Sequence, residues 1–307
     1  MATWLLLSFH SRKMNRHHYQ LDLGTSTPAT SESCPASGLC RRFSLEEIKT
    51  ATNNLDKNFL IDTGGSDDVY KGFIEGGATT VVIKRLNPRL SYTREFLDKI
   101  DMASKLRHLH VVSPIGYCNE GGEMFLVYDY MPRGSLYHHL YITKNPPLTW
   151  KQRLQICIGA ARGLHYLDTN CNEYHSIPHL VTFRKILLDE KWVAKVLLAP
   201  SNNWGKKYNV HFLGWVLFQV LFIDPLELRE RLGFIKLDES YRRGTLEQYI
   251  DPDLYSQIAP KCLSKFTETA FACINVTGSE QLEMSDVIRS LEFAMQLQEE
   301  AEQSGNR

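Results

Sequence analysis

MFLVYDYMPRGSLYHHL, residues 124–140, changes character in its middle. Its first half, MFLVYDYM, is an aromatic and β-branched run that reads as a strand; after Met131 the pattern turns helical. Upstream, FLIDTGG, DVYKGFI and TTVVIKRL are short strand-like runs separated by glycine pairs, which is hairpin spacing. VVSPIGYC adds another strand, and REFLDKIDMASKL places Phe96, Ile100, Ala103 and Leu106 on one helical face. The spacing therefore predicts a first lobe made of a small antiparallel sheet with one helix.

Downstream, LTWKQRLQICIGAARGLHYL is a long helix capped by Thr149 and Gln152, with Leu154, Ile158, Ala161 and Leu164 as its buried stripe. VHFLGWVLFQVLF is apolar all round but only 13 residues long, which suits a central core helix and not a membrane span. SDVIRSLEFAMQLQEEAEQ reads as an amphipathic helix fraying into a charged end. A β-rich lobe followed by a helical lobe is an α+β, bilobal design.

The boundaries follow from composition. Residues 1–40 read as disordered tail and linker, because Thr25 to Gly38 is too poor in large apolar groups to offset its ordering entropy. Order is expected from FSLEEI, where Ser44 and Glu47 make a capping box and Phe43 with Ile48 a hydrophobic staple. Residues 41–130 form the first lobe, 131–300 the second, and 301–307 a disordered tail.

The chain of 307 residues balances 35 basic against 35 acidic side chains, so it lacks the basic footprint of a nucleic-acid binder. Its seven cysteines are an odd number without C-x-x-C spacing, as expected of reduced thiols in a cytoplasmic protein. The apolar stretch Trp4 to Phe9 is too short for a membrane helix and lacks a signal-peptide cleavage site. With Arg12, Lys13 and Arg16 behind it, this stretch offers a weak contact with the plasma-membrane surface, against the plainer reading of a solvated tail.

CRRFSLEEIKTATNN, SKLRHLHVVSPIGYC, LVYDYMPRGSLYHHLY, LTWKQRLQICIGAARGLHYL, ILLDEKWVAKV and SLEFAMQLQE resemble the plant receptor-like protein kinases over roughly residues 40–300. The nearest likeness is to the cytoplasmic kinase domain of the Feronia-type, malectin-like receptor kinases. The resemblance implies a glycine-rich loop, a strand lysine paired to a helix glutamate, a catalytic Asp and Asn, and a D-F-G aspartate for magnesium.

Placed on this chain, the glycine loop falls on Asp62-Thr63-Gly64-Gly65-Ser66-Asp67, with carboxylates at its first and last glycine positions. Gly64 and Gly65 also read simply as a hairpin turn. V-A-I-K falls on Val81-Val82-Ile83-Lys84, with Val82 narrowing the adenine slot, and the helix glutamate falls on Lys99. Lys84 is then expected to snorkel and pair with Asp98 or Asp101. H-R-D falls on Pro178-His179-Leu180, the following lysine on Thr182, the metal-binding asparagine on Lys185, and D-F-G on Leu198-Ala199-Pro200. Only SNNWGKKY separates Pro200 from Asn209, so the activation segment is expected to be short, and Gln281 stands for the arginine that pairs with A-P-E.

These substitutions lead to the expectation of a catalytically inactive domain, a pseudokinase scaffold, with Leu180, Lys185, Leu198 and Lys99 as degenerate catalytic positions. Gly64, Gly65, Val69, Lys84, Tyr128 and Met131 would line a vestigial nucleotide cleft. No cofactor, weak or no ATP binding and no magnesium site are expected. Protein partners are expected, an active receptor kinase or an immune receptor among the candidates, with Trp204 as anchor or as a plug over the central helix. Two alternatives stand beside this: a weak ATP-binding Ser/Thr kinase using Lys84 with Asp67, Asp68 or Asp189, and a decaying or wrongly assembled receptor-kinase product.

Overall fold

Ser44 starts the first helix as its side chain predicts: Oγ accepts from Glu47 N at 3.1 Å, and Glu47 Oε2 accepts from Ser44 N at 2.8 Å. This helix, α1 (Leu45–Ala51), buries Ile48 and Ala51 against the sheet. The computed structural model describes residues 40–62, 67–87, 94–143, 146–170, 184–198, 207–222, 233–275 and 282–305.

The sheet of the first lobe has six strands: β1 (Arg41–Arg42), β2 (Leu60–Asp62), β3 (Asp68–Ile74), β4 (Thr79–Arg85), β6 (Pro114–Glu120) and β7 (Glu123–Asp129). Their order is β1-β6-β7-β4-β3-β2. The expected antiparallel sheet is corrected at one edge, where β1 runs parallel to β6. The cause is packing: Phe43 lies so close over Gly116 that a Cβ there would meet its ring at 2.4 Å, which holds the entering chain beside β6. Helix α2 (Arg94–Lys105) lies against this sheet, burying Ile100 and Ala103.

A second, three-stranded sheet joins the lobes: β5 (Val111–Val112) pairs parallel with β9 (Ala194–Leu197), which pairs antiparallel with β8 (Ile186–Leu188). Behind it runs α4 (Trp150–Asn170), capped reciprocally by Thr149 and Gln152 as expected. Gly163 lets this helix approach the His110 carbonyl so closely that a Cβ would sit 2.2 Å from it. The short α3 (Leu136–Tyr141) precedes it.

The helical lobe continues with α5 (Lys207–Gln219), α6 (Gly233–Arg242), α7 (Pro252–Tyr255), α8 (Pro260–Ile274) and α9 (Met284–Gln303). In α5, Leu213, Val216, Leu217 and Phe218 are buried, while His211 and Trp215 stay half-buried with a 3.1 Å hydrogen bond between them. Arg153, buried in α4, donates to the carbonyls of Leu148 at 3.0 Å and Val220 at 2.7 Å, satisfying the end of that segment. The charged end of α9 is helical to Gln303, past the expected boundary at Ala301. Lys151 holds it, lying 3.3 Å from Glu299 and 3.2 Å from Glu302. Among the described residues, no helix is long and apolar enough to cross a membrane.

Candidate nucleotide cleft

The upper wall is the β3–β4 hairpin. Its register sets Val69 opposite Lys84 and Asp68 opposite Arg85, so successive side chains of β4 go to opposite faces. Arg85 turns one way, to Glu123, with Nε 2.8 Å from Oε2. Lys84 turns the other way, and its Nζ lies 2.9 Å from Asp67 Oδ2, both side chains about four-fifths shielded from solvent. Asp67 Oδ1 also accepts from Asn87 N at 3.2 Å.

The expected partners of Lys84 are thereby corrected. Asp101 is bonded to Lys105 at 2.6 Å on its own helix, and Asp98 is exposed. The hairpin register brings the carboxylate at the last position of the glycine loop to the strand lysine, in place of one from α2. Lys99 lies half-buried on α2, at the position where the family resemblance implies the glutamate. Val82 is half-buried and packs into the cluster that includes Tyr128, Met131, Leu187 and Leu197.

The lower wall is the β8–β9 hairpin. Asp189 builds its turn: Oδ1 accepts from Lys191 N and from Val193 N, each at 2.9 Å. Trp192 follows at φ 65°, and its ring lies 4.1 Å from the Arg133 guanidinium and 5.1 Å from the His139 ring. The carboxylate of Asp189 is committed to this turn, so its candidacy as a replacement acid is corrected. At the foot of the hairpin, the Lys185 carbonyl accepts from Leu197 N at 2.8 Å.

The Lys185 side chain is half-buried, and its ammonium makes no hydrogen bond or ion pair among the described residues. Burial pushes its pKa down to about 8; the charge of Lys84 acts in the same direction, and Asp67 opposes it. Leu198 is fully buried in the helical-lobe core, and its N donates to Val112 O at 2.9 Å.

The remaining cleft residues divide. Val69 and Met131 are half-buried, the latter at the lobe junction, where its carbonyl accepts from Gly134 N at 3.0 Å. Tyr128 is corrected: it is buried behind the cleft, its hydroxyl donating to Leu198 O at 3.2 Å, so it ties the two walls together from the rear. Asn209, in the first turn of α5, donates to Asp168 at 2.7 Å. Gly64, Gly65, His179, Leu180, Thr182, Trp204 and Gln281 lie outside the described residues.

Sequence reasoning missed the Lys84–Asp67 pair and its charges acting on Lys185. A signal was present: the chain gains a carboxylate at Asp67 and loses one at Lys99, a reciprocal change around one lysine.

A lysine-bearing hairpin over a second hairpin, joined at the rear and followed by a helical lobe, defines a protein-kinase domain. Residues 56–197 match the protein tyrosine and serine/threonine kinase family. Among curated proteins of Arabidopsis thaliana, the chain is 42% identical to the receptor-like protein kinase FERONIA, covering 98% of this chain and 37% of that protein. It is 45% identical to the receptor-like protein kinase ANXUR2 over 92% of this chain and 37% of that one. It is 40% identical to the receptor-like protein kinase THESEUS 1 over 89% of this chain and 36% of the relative. The chain belongs to the receptor-like protein kinase family, and it spans less than two-fifths of the length of these relatives.

These relatives overturn the expectation that the chain is no enzyme. At 40–45% identity over most of the chain, the proteins it matches are named as protein kinases, which places it in an enzyme family. The metal positions are a separate matter. The family implies magnesium, but the two positions that would hold it carry the ammonium of Lys185 and the aliphatic side chain of Leu198, neither of which has a lone pair to give at neutral pH. Among the described residues, no group of three or more His, Cys, Asp or Glu side chains could hold a metal ion. The donor set does not fit a divalent cation at those positions.

Proposed function

We propose that this chain is an ATP-binding Ser/Thr protein kinase domain that transfers phosphate slowly to protein substrates. The observation that carries this reading is Lys84, held in the cleft by Asp67 at 2.9 Å on the strand where the family keeps its phosphate-binding lysine. Phosphoryl transfer asks little covalent chemistry of the protein and depends on positioning and electrostatic stabilisation. Loss of a general base typically slows a reaction by about 10²- to 10⁴-fold, which lowers a rate without abolishing it. Asp67 serves here by orienting Lys84.

Protein substrates carrying a hydroxyl group suit a chain whose relatives are named protein kinases. The test is transfer of labelled γ-phosphate from ATP to the chain itself and to a generic protein substrate. Turnover should fall at least tenfold in Lys84→Met. Equal turnover in that variant, or none in the parent chain under any condition, sinks the reading.

A further inference from the structure

We propose that Lys185 and Lys84 act as a two-ammonium clamp that holds the polyphosphate of ATP without a divalent cation. The inference rests on the reading of the cleft as a nucleotide site, and it concerns what replaces the metal there.

The two lysines come from opposite walls: Lys84 stands two residues along β4 from Val82 and Lys185 two residues before Leu187 of β8, and Val82 and Leu187 pack against one cluster, so the faces that carry the two lysines meet. Among the described residues Lys84 is balanced by Asp67, so Lys185 adds one net positive charge in a partly shielded space. Lys84 has an ion-pair partner, whereas Lys185 has none among the described residues. A half-buried ammonium with no ion-pair partner among the described residues is an unfavourable arrangement, and an incoming anion relieves it. Lysine is a known phosphate binder acting as a point charge. A triphosphate would neutralise both ammonium groups, the work that a metal ion does when carboxylate and amide oxygens line the same place.

The substitution thus reverses the sign of the site. Where the family resemblance implies a ligand for a cation, this chain places the cation itself, covalently attached. A metal ion brought in with ATP would meet Lys185 as a like charge, so magnesium should compete with binding and not assist it. Among the described residues, the charged groups that act on Lys185 are Lys84 from β4 and Asp67 from the segment before β3, while the neighbouring Arg184 is turned to the Tyr137 ring at 3.6 Å. Since the free ammonium titrates near pH 8, ATP affinity should fall as pH rises through that value, and binding below it should be accompanied by little proton uptake.

The experiment is a calorimetric titration of the full chain with ATP, once in excess EDTA and once in magnesium. It is repeated for Lys185→Met and Lys185→Arg, with thermal melts to establish that each variant is folded. The expected result is binding in EDTA that is at least as tight as in magnesium. It should weaken at least tenfold in Lys185→Met, with Lys185→Arg retaining affinity and losing the pH dependence near 8. Binding that requires magnesium overturns the clamp while leaving the cleft a nucleotide site. Binding in EDTA that ignores Lys185→Met also overturns it. No binding in either condition removes the nucleotide reading itself, and the clamp with it. Were Lys185→Met not to fold, a change of binding mode would still show in the parent chain, as a loss of affinity on adding magnesium if the clamp exists and a gain if it does not.

Discussion

The two walls of the cleft are both hairpins, yet they hold different chemistry. The β3–β4 wall carries Lys84 and the carboxylate that holds it, Asp67. The β8–β9 wall keeps its architecture: Asp189 closes the turn, Trp192 takes the left-handed conformation the turn requires, and β9 stays paired to β5. Its flanking residues, Lys185 and Leu198, differ in chemical class from those the family resemblance implies. The difference shows that a hairpin's shape and its chemistry rest on separate residues. Turn geometry and burial fix the backbone, so the residues at its ends can differ while the hairpin keeps its shape.

The largest effect is expected where the lower wall meets the helix behind it. Gly163→Ala puts a Cβ into the His110 carbonyl, 2.2 Å away, and neither backbone can yield easily. Overpacking of this kind costs about 1–3 kcal/mol or more. A domain of this size should lose roughly 3–10 °C in thermal midpoint, read by calorimetry. A neutral substitution would mean that the lower wall is not held against α4 as described, and the contrast between the walls would collapse.

Lys185→Met should do the opposite and raise stability. The sign follows from the lowered pKa. Between about pH 8 and the ordinary lysine value of 10.5, the unfolded chain binds a proton that the folded chain has released, so stability of the parent rises with pH across that window. Below pH 8 both states are charged and the folded state bears the full penalty, up to roughly 3 kcal/mol by the size of the shift. The variant's advantage should therefore be greatest below pH 8 and fade toward 10.5, as urea melts at several pH values would reveal. An advantage independent of pH would place the ammonium in water and weaken the case for a charged clamp.

Asp189→Ala should remove about 1–2 kcal/mol of stability by leaving two turn amides without their acceptor, with ATP affinity unchanged. Unequal effects of this kind, fold without ligand for Asp189 and ligand with a gain in fold for Lys185, would sharpen the separation of shape from chemistry. A parallel loss of ATP binding in Asp189→Ala would erase it.

Much of this architecture was legible in the chain because it rests on local chemistry. The capping boxes at Ser44–Glu47 and Thr149–Gln152, the stripe Leu154, Ile158, Ala161 and Leu164, and the change from strand to helix after Met131 all stand in the structure. What local pattern could not supply was register. The pairing of Asp67 with Lys84 exists because β3 and β4 set Val69 against Lys84, and spacing alone gives no such alignment. Tyr128 was misplaced for a related reason: Met124 through Tyr128 are all buried, so the alternation that would show which face meets the cleft is absent. The parallel edge of β1 depends on Phe43 seating over Gly116, a contact between segments far apart in sequence.

Tyr128 provides the smallest and most discriminating test, because its hydroxyl is the hydrogen bond that joins the two walls at the rear. Tyr128→Phe leaves the ring packing intact and removes one donor from the Leu198 carbonyl, a loss of about 1 kcal/mol. The phenol is buried completely, and burial raises its pKa above the ordinary value of 10, so the folded chain keeps the hydroxyl neutral while the unfolded chain ionises above pH 10. The parent consequently loses stability as pH rises beyond 10, and the phenylalanine variant lacks that loss. The two melting curves should converge in alkali and then cross. If the walls are joined only there, the variant should also show faster amide exchange at Leu198 than at Lys84, since β4 remains paired on both sides in its sheet while the end of β9 has lost a partner. Equal acceleration on both walls would mean that they open as one unit, and the independence drawn from their different residues would not extend to their motion.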